Sequence, residues 1–208
     1  MAAGGLVYRL SLVRGRLEPV TQVLVGVIFN TFAASVILLV SALVDLSRSH
    51  SIVFWLMGGI AVYPYPVLCL TGVLVALGVM VLVRDALALN LLALGDDSAE
   101  HLGVDLGAVR RRVFLASALL VGAVVSLTGV ITFVGLIVPH ALRRLAGSDN
   151  RLLVPASFLG GATFLVACDA LARVAAAPRE LPVGAITAMT GGPFFVYLLR
   201  RRSRERGL

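Results

Sequence analysis

The sequence predicts an all-α polytopic membrane protein with six transmembrane helices, one of them short, and with both termini in the cytoplasm. Three observations lead to this class. Of the 208 residues, 59% are hydrophobic and only 14% are charged, which is more apolar surface than a soluble domain of this length can bury. The mean hydropathy is +0.99. Several apolar runs are close to the about 20 residues that cross a bilayer as a helix.

Five apolar runs account for the six predicted helices. Four of them are single spans, at residues 20–44, 66–83, 152–174 and 181–199. The fifth run, residues 113–142, would form one helix of about 45 Å, which is too long for a simple crossing. Arginines flank this run on both sides, so both of its ends are expected in the cytoplasm. We therefore interpret it as two short spans, broken near residues 126–129.

The arginines set the predicted orientation. All 18 basic residues are arginines, and cytoplasmic loops of membrane proteins are enriched in basic residues. With the N-terminus inside, the outer side keeps only Arg48, Arg173 and Arg179. The other 15 are cytoplasmic: Arg9, Arg14, Arg16, Arg84, Arg110, Arg111, Arg112, Arg143, Arg144, Arg151, Arg200, Arg201, Arg202, Arg204 and Arg206. Loop topology thus explains the net charge of +7 without a nucleic-acid partner.

The polar segment between the second and third spans, residues 84–112, is expected to hold two short cytoplasmic helices. Gly95 is a helix-stop residue, and Gly103 is expected to end the second helix. Asp97 and Glu100 have the spacing of a capping box, so Asp97 is expected to cap that helix. The segment also carries five leucines, which a partner or the protein's own helix ends should cover: Leu89, Leu91, Leu92, Leu94 and Leu102. The alternative is a solvated amphipathic loop with no partner.

Enzyme chemistry is not indicated. The chain has no lysine, which excludes a P-loop lysine and a Schiff base, so any linked ATP hydrolysis belongs to another chain. Nucleophile and zinc-protease motifs are also missing from the sequence, which disfavours an intramembrane protease. Cys69 and Cys168 lie in apolar runs and are expected to be buried, with no disulfide and no metal site. His140 is expected to be a polar anchor at a helix end.

Three further positions stand out in the C-terminal part. Pro139 is expected to end or kink the short span. Asp169 and Arg173 are spaced i, i+4 and can pair on one helical face; they form either an interfacial pair or an exposed arginine that receives an acidic partner. Gly184, Ala188 and Gly192 make a stripe of small residues that permits close helix contact, within the subunit or across a dimer.

Three ordered segments together resemble the FecCD/BtuC family of ABC-importer permeases. They are LALGDDSAEHLG, GLIVPHALRRLAGSDNRLLVPAS and ELPVGAITAMTGGPFFVYLLRRR, and the match is colinear from about Gly26 to Arg202. This family imports iron–siderophore complexes, haem and vitamin B12 across the cell membrane. The resemblance implies a multi-pass permease subunit for an iron-siderophore or a related metal chelate. It implies alternating access driven by a separate ATPase, with no cofactor and no bond chemistry in this chain.

The resemblance also implies partners and site residues. The partners are a pair of ATPase subunits, a periplasmic or lipid-anchored substrate-binding protein, a second permease subunit and membrane lipid. Arg173 matches an outward arginine that meets an acid of the binding protein. Pro139, Gly184 and Gly192 fall at structural or pathway positions. Ten residues match the coupling helices that sit on the ATPase: Leu92, Ala93, Leu94, Gly95, Asp96, Asp97, Ser98, Ala99, Leu102 and Gly103.

The resemblance covers only the last six of the family's ten spans. The chain is therefore expected to form one membrane domain, residues 1–208, with a BtuC-like permease fold that lacks the first four spans, of which residues 1–7 are a remnant. Two interpretations stay open. One is a transporting permease subunit, and the other is a truncated, non-transporting relic that keeps the fold of the C-terminal half.

Overall fold

A computed structural model describes residues 12–13, 16–17, 19–175 and 181–206 of the chain. A two-stranded antiparallel hairpin, β1 (Leu12–Val13) and β2 (Arg16–Leu17), precedes the helices. The helices in these ranges are α1 (Pro19–Leu43), α2 (Leu46–Leu56), α3 (Tyr65–Arg84), α4 (Ala86–Leu92), α5 (Asp96–His101), α6 (Leu106–Thr128), α7 (Val134–Ala146), α8 (Asn150–Ala175) and α9 (Val183–Arg206).

The chain divides into two compact units. The first contains Met1–Val53 and Tyr65–Val124, and the second contains Phe54–Pro64 and Val125–Leu208. Among the described residues, buried apolar side chains are few in either unit, and most are small. In the second unit, Cys168, Ala172 and Val183 form a buried cluster. Cys168 is buried as predicted, but Cys69 is exposed on α3, so the prediction for Cys69 was wrong.

Among the described residues, four helices are long and apolar enough to cross a membrane, namely Val20–Leu43, Tyr65–Arg84, Leu106–Thr128 and Asn150–Ala175, and α9 carries a shorter apolar stretch at Val183–Val196. Except for Leu106–Thr128, they lie within a few residues of the predicted spans. Their large apolar side chains are widely exposed; α1, for example, has no buried residue in its apolar window. Such surfaces require lipid or other helices around them. The total of six spans and the cytoplasmic termini stay predictions.

The apolar run 113–142 differs from the expectation of two short spans. Its first helix, α6, begins at Leu106 within the polar segment and has 23 residues, so only α7, with 13 residues, is short. The break falls between Gly129 and Phe133, which both adopt positive φ (67° and 68°). Pro139 does not end α7. The helix continues to Ala146, although proline removes one internal hydrogen bond.

The early start of α6 has a local cause that gives a prediction. The backbone N–H of Ala108 donates to the Asp105 carboxylate at 2.9 Å, which is an N-cap. We expect Asp105→Ala to lower the free energy of unfolding by about 1 kcal/mol, measured as thermal unfolding of the purified chain in detergent. Glu100→Ala, which removes an exposed carboxylate outside this cap, is the control. Equal losses from the two variants would contradict the cap assignment.

Candidate functional site

The loop of the first unit, residues 84–112, contains α4 and α5 joined by a tight turn. The N–H of Gly95 donates to the Leu92 carbonyl at 3.2 Å, and Gly95 adopts φ 109° and ψ 156°. Few residues other than glycine adopt this conformation. Glycine also ends α5, because Gly103 (φ 81°) donates to Glu100 at 2.9 Å while Val104 donates to Ala99 at 3.0 Å. These two bonds are a Schellman motif, so both glycine assignments agree with the sequence prediction.

The predicted capping box is not formed. Gly95, rather than Asp97, is the N-cap residue of α5, and no side chain caps this helix. Asp96 and Asp97 instead lie in its first turn, where negative charge is favourable beside the helix N-terminus. The physical reason is that glycine at positive φ brings the chain into the helix two residues earlier than the capping pattern assumes.

Two forked ion pairs connect this loop to α6. Arg110 donates from Nη2 to both carboxylate oxygens of Asp96, at 2.7 and 2.8 Å. Arg112 donates from Nε to Asp85 Oδ2 at 2.8 Å and from Nη2 to Oδ1 at 2.9 Å. Hydrogen bonds between charged groups in this geometry are among the strongest that proteins form. They fix the direction of the loop relative to the first two turns of α6.

The ion pair of Asp85 and Arg112 was missed by sequence reasoning. The Asp85 side chain is 7% exposed, whereas that of Arg112 is 48% exposed. A signal was available, because a carboxylate directly after a span needs a partner to be buried there. Arg110, Arg111 and Arg112 were interpreted only as markers of membrane topology. Arg112 is 27 residues from Asp85 in the sequence, so no local pattern indicated the contact.

The loop face, defined as Leu94, Asp97, Ser98, Glu100 and Leu102, is exposed. Leu94 is 67% exposed and Leu102 is 61% exposed, and the carboxylates of Asp97 and Glu100 beside them are exposed too. Leu89, Leu91 and Leu92 are half-buried, so the chain itself already covers part of their surface. Of the ten predicted coupling residues, Ala99 is buried, Leu92 is half-buried, and the rest are exposed: Ala93, Leu94, Gly95, Asp96, Asp97, Ser98, Leu102 and Gly103.

Arg173 lies in the second unit and forms the predicted pair. Its Nε donates to Asp169 Oδ2 at 2.8 Å, one turn earlier in α8, and its Nη2 lies 3.4 Å from the carbonyl oxygen of Ile60. The Arg173 side chain is nonetheless 52% exposed. It borders a cleft of about 260 Å³ that aromatic side chains such as Trp55 and Tyr63 also line. The arginine is thus held in place while its charge stays accessible.

Beside this cleft, three glycines allow three segments of backbone to touch. We call Gly58, Gly129 and Gly184 the glycine junction. A β-carbon at each would overlap a backbone carbonyl oxygen, that of Val130, Trp55 or Met57, respectively. Hydrogen bonds join the same segments, from Gly59 to Thr128 at 2.8 Å and from Gly184 to Gly58 at 3.2 Å.

The predicted small-residue stripe is only partly used within the second unit. Gly184 belongs to the glycine junction, but a β-carbon at Gly192 would meet no described atom within 4 Å. Its neighbour Gly191 makes the close contact instead, against the side chain of Phe133. His140 lies inside α7 with its ring edge-on to Phe194, at a centroid distance of 6.3 Å. It is therefore a packed residue within the helix rather than an anchor at its end.

The sequence profile of the FecCD transport family matches residues 1–201 of this chain. The chain belongs to the FecCD transport family. Its FecCD relatives include the hemin transport system permease protein of Yersinia pestis, 37% identical over 88% of this chain and 55% of the relative. The vitamin B12 import system permease protein of Vibrio cholerae is 42% identical over 95% of this chain and 61% of that protein.

A further FecCD relative is the Fe(3+) dicitrate transport system permease protein of Escherichia coli, 38% identical over 86% of this chain and 54% of that protein. The chain is also similar to the solved structure of a metal-chelate type ABC transporter in an inward-facing conformation, with a TM-score of 0.86 and 32% identity over 95% of this chain and 63% of that chain. The chain thus spans a little over half the length of the curated relatives it matches. Membership places the chain among multi-pass proteins of the cell membrane, in a family of transport permeases rather than enzymes.

Proposed function

We propose that this FecCD chain acts as a permease subunit of an ABC importer for a metal chelate, and that the loop face binds the ATPase. The observation that carries this proposal is the exposure of two leucines and two acids on a loop that two ion pairs join to α6, a helix long and apolar enough to span a membrane. An interface of this composition suits a groove with apolar walls and basic residues at its rim. The fixed loop would then pass movement to the spans it joins, α3 and α6.

The mechanism we propose is alternating access. A pair of ATPase subunits closes on binding ATP and moves the loop face, and α3 and α6 tilt with it to open one end of a central pathway. A second permease subunit, identical or different, would supply the other wall of that pathway. The exposed apolar surface of α1 supports such contacts, since lipid or helices must cover it.

Arg173 supports a role in docking a substrate-binding protein at the outer face. Asp169 and the Ile60 carbonyl hold its guanidinium, and 52% of the side chain stays accessible to an incoming carboxylate. We expect Arg173→Glu to reduce ATP hydrolysis stimulated by the loaded binding protein about tenfold or more, because like charges across an interface repel. Arg48→Glu, which reverses another exposed arginine, is the control. Unchanged stimulation in Arg173→Glu would contradict the docking assignment.

Within the class of metal chelates, we propose ferric siderophores as the cargo. Relatives carry names for hemin, vitamin B12, iron(3+)-hydroxamate and Fe(3+) dicitrate, and in each of these an organic ligand binds metal. The test is uptake into proteoliposomes that contain the full chain, its host's ATPase and the matching binding protein. ATP-dependent uptake of a ferric siderophore, but not of haem or vitamin B12, supports the proposal. ATPase binding without uptake of any chelate would favour the non-transporting relic.

A further inference from the structure

The two arginines that hold the loop leave α6 on opposite flanks. Arg110 and Arg112 are two residues apart, and two residues turn an α-helix by about 200°. Arg110 reaches Asp96 at the start of α5, whereas Arg112 reaches Asp85, between α3 and α4. One pair alone would allow the loop to pivot about a single point. Two pairs on opposite flanks also oppose rotation of the loop about the axis of α6.

Apolar packing between the loop and α6 is incomplete. A cleft of about 310 Å³ is lined there by Leu89 and Leu92 of α4, by Val109, Val113 and Phe114 of α6 and by Gln22 of α1, among others. Close-packed side chains resist sliding, but side chains that face each other across open space do not. The two ion pairs therefore hold the loop on α6 where packing leaves this gap.

The two pairs are unequal. The Asp85 side chain is 7% exposed, and that of Asp96 is 52% exposed. Asp85 is the N-cap residue of α4, yet its carboxylate caps no backbone N–H and gives both oxygens to Arg112. A buried carboxylate that loses its partner is strongly disfavoured. The pair of Asp85 and Arg112 should therefore stay closed under load, while that of Asp96 and Arg110 can exchange with water.

We propose that Asp85 and Arg112 are positioning residues that form a rigid joint between the loop and α6, and that Asp96 and Arg110 form a second attachment that stops the loop from rotating. Force applied at the loop face then moves α6 as one body with the loop. This inference rests on the proposed function for the source of the force. The joint itself is a property of the chain alone, so it can be measured without an ATPase.

The first test is hydrogen exchange of the backbone amides of residues 86–104, in the full chain in lipid nanodiscs. Arg112→Gln should speed exchange about tenfold, which is the effect of losing one charge-assisted hydrogen bond of ordinary strength. Arg110→Gln should have a smaller effect, and the double variant a larger one. Arg111→Gln, which removes an exposed arginine between them, should leave exchange unchanged. If Arg112→Gln does not fold, Arg112→Lys is the second variant. Lysine keeps the positive charge but cannot donate from two nitrogens to both oxygens of Asp85, so the exchange rate should be intermediate.

Unchanged exchange in the double variant, or an equal effect from Arg111→Gln, would overturn the joint. The second test places the same variants in complexes with the ATPase. Arg112→Gln should keep ATPase binding, because the loop face is intact, and should lose uptake per ATP about tenfold. Full uptake despite fast exchange would overturn the role in transmission. Loss of ATPase binding in Arg112→Gln would also overturn the role in transmission. Failure of the natural chain to bind an ATPase, together with fast exchange in Arg112→Gln, would count against the proposed function and leave the joint itself standing.

Discussion

Replacing Gly184 with alanine is expected to unfold much of the second unit under conditions in which the natural chain is stable. The added β-carbon would overlap the backbone carbonyl oxygen of Met57, and backbone cannot move aside as a flexible side chain can. Relief of this overlap would separate Gly184 from Gly58 and break their hydrogen bond of 3.2 Å. Overpacking together with a lost hydrogen bond costs about 2–4 kcal/mol, which lowers the unfolding temperature of a chain of this size by about 5–15 °C.

Gly192→Ala is the matched control, since Gly192 lies in the same helix and has open space around its α-carbon among the described residues. We expect it to keep the natural unfolding temperature or to raise it slightly, because alanine favours the helix by up to about 1 kcal/mol over glycine. Thermal unfolding of both variants in one detergent decides the matter. Equal effects would contradict the glycine junction and favour a stripe that is used evenly.

Leu94→Glu is expected to abolish co-purification of the ATPase without unfolding the chain. Leu94 is 67% exposed in the loop face, so the change costs little in the isolated subunit. In the complex it would place a charge against apolar partner atoms, and a buried hot-spot residue contributes at least about 2 kcal/mol, or roughly 30-fold in affinity. Gly95→Val should act in the same direction, because it strains the turn that presents the loop face.

The control for Leu94→Glu is Leu145→Glu. Leu145 is 84% exposed near the end of α7, in another segment predicted to be cytoplasmic. It should retain normal ATPase binding, measured by quantitative pull-down from detergent extracts. Equal loss from both variants would indicate a general effect of charge. Retained binding in Leu94→Glu would remove the loop face from the ATPase contact.

Sequence patterns predicted α1, α3 and α8 within a few residues because hydrophobic length alone sets a membrane span. They also predicted both glycine turns of the loop, since glycine at positive φ is a local requirement. The start of α6 was misplaced for a physical reason: helix formation depends on capping by Asp105, and a helix can begin in polar sequence well before its apolar part. Pro139, which was expected to end or kink the short span, does not end α7. A proline removes one backbone hydrogen bond, and the helix continues despite that loss.

The ion pairs and the glycine junction were beyond local patterns because they join segments far apart in the sequence. Arg112 and Asp85 are 27 residues apart, and Gly184 contacts a turn more than a hundred residues earlier. The pair of Asp169 and Arg173 could be predicted, since both residues lie on one helical face. Family resemblance selected the loop and Arg173 as functional positions, but it did not indicate which side chains hold them.

Site-specific photo-cross-linking tests most directly whether the loop face contacts an ATPase, as we propose. A benzophenone side chain would replace Ser98, which is exposed at the centre of the loop face, and separately Met189, which is 77% exposed on α9 in a predicted span. We predict a cross-link from position 98 to the ATPase subunit in native membranes and none from position 189. A complex that co-purifies intact yet gives no cross-link from position 98 would contradict the claim.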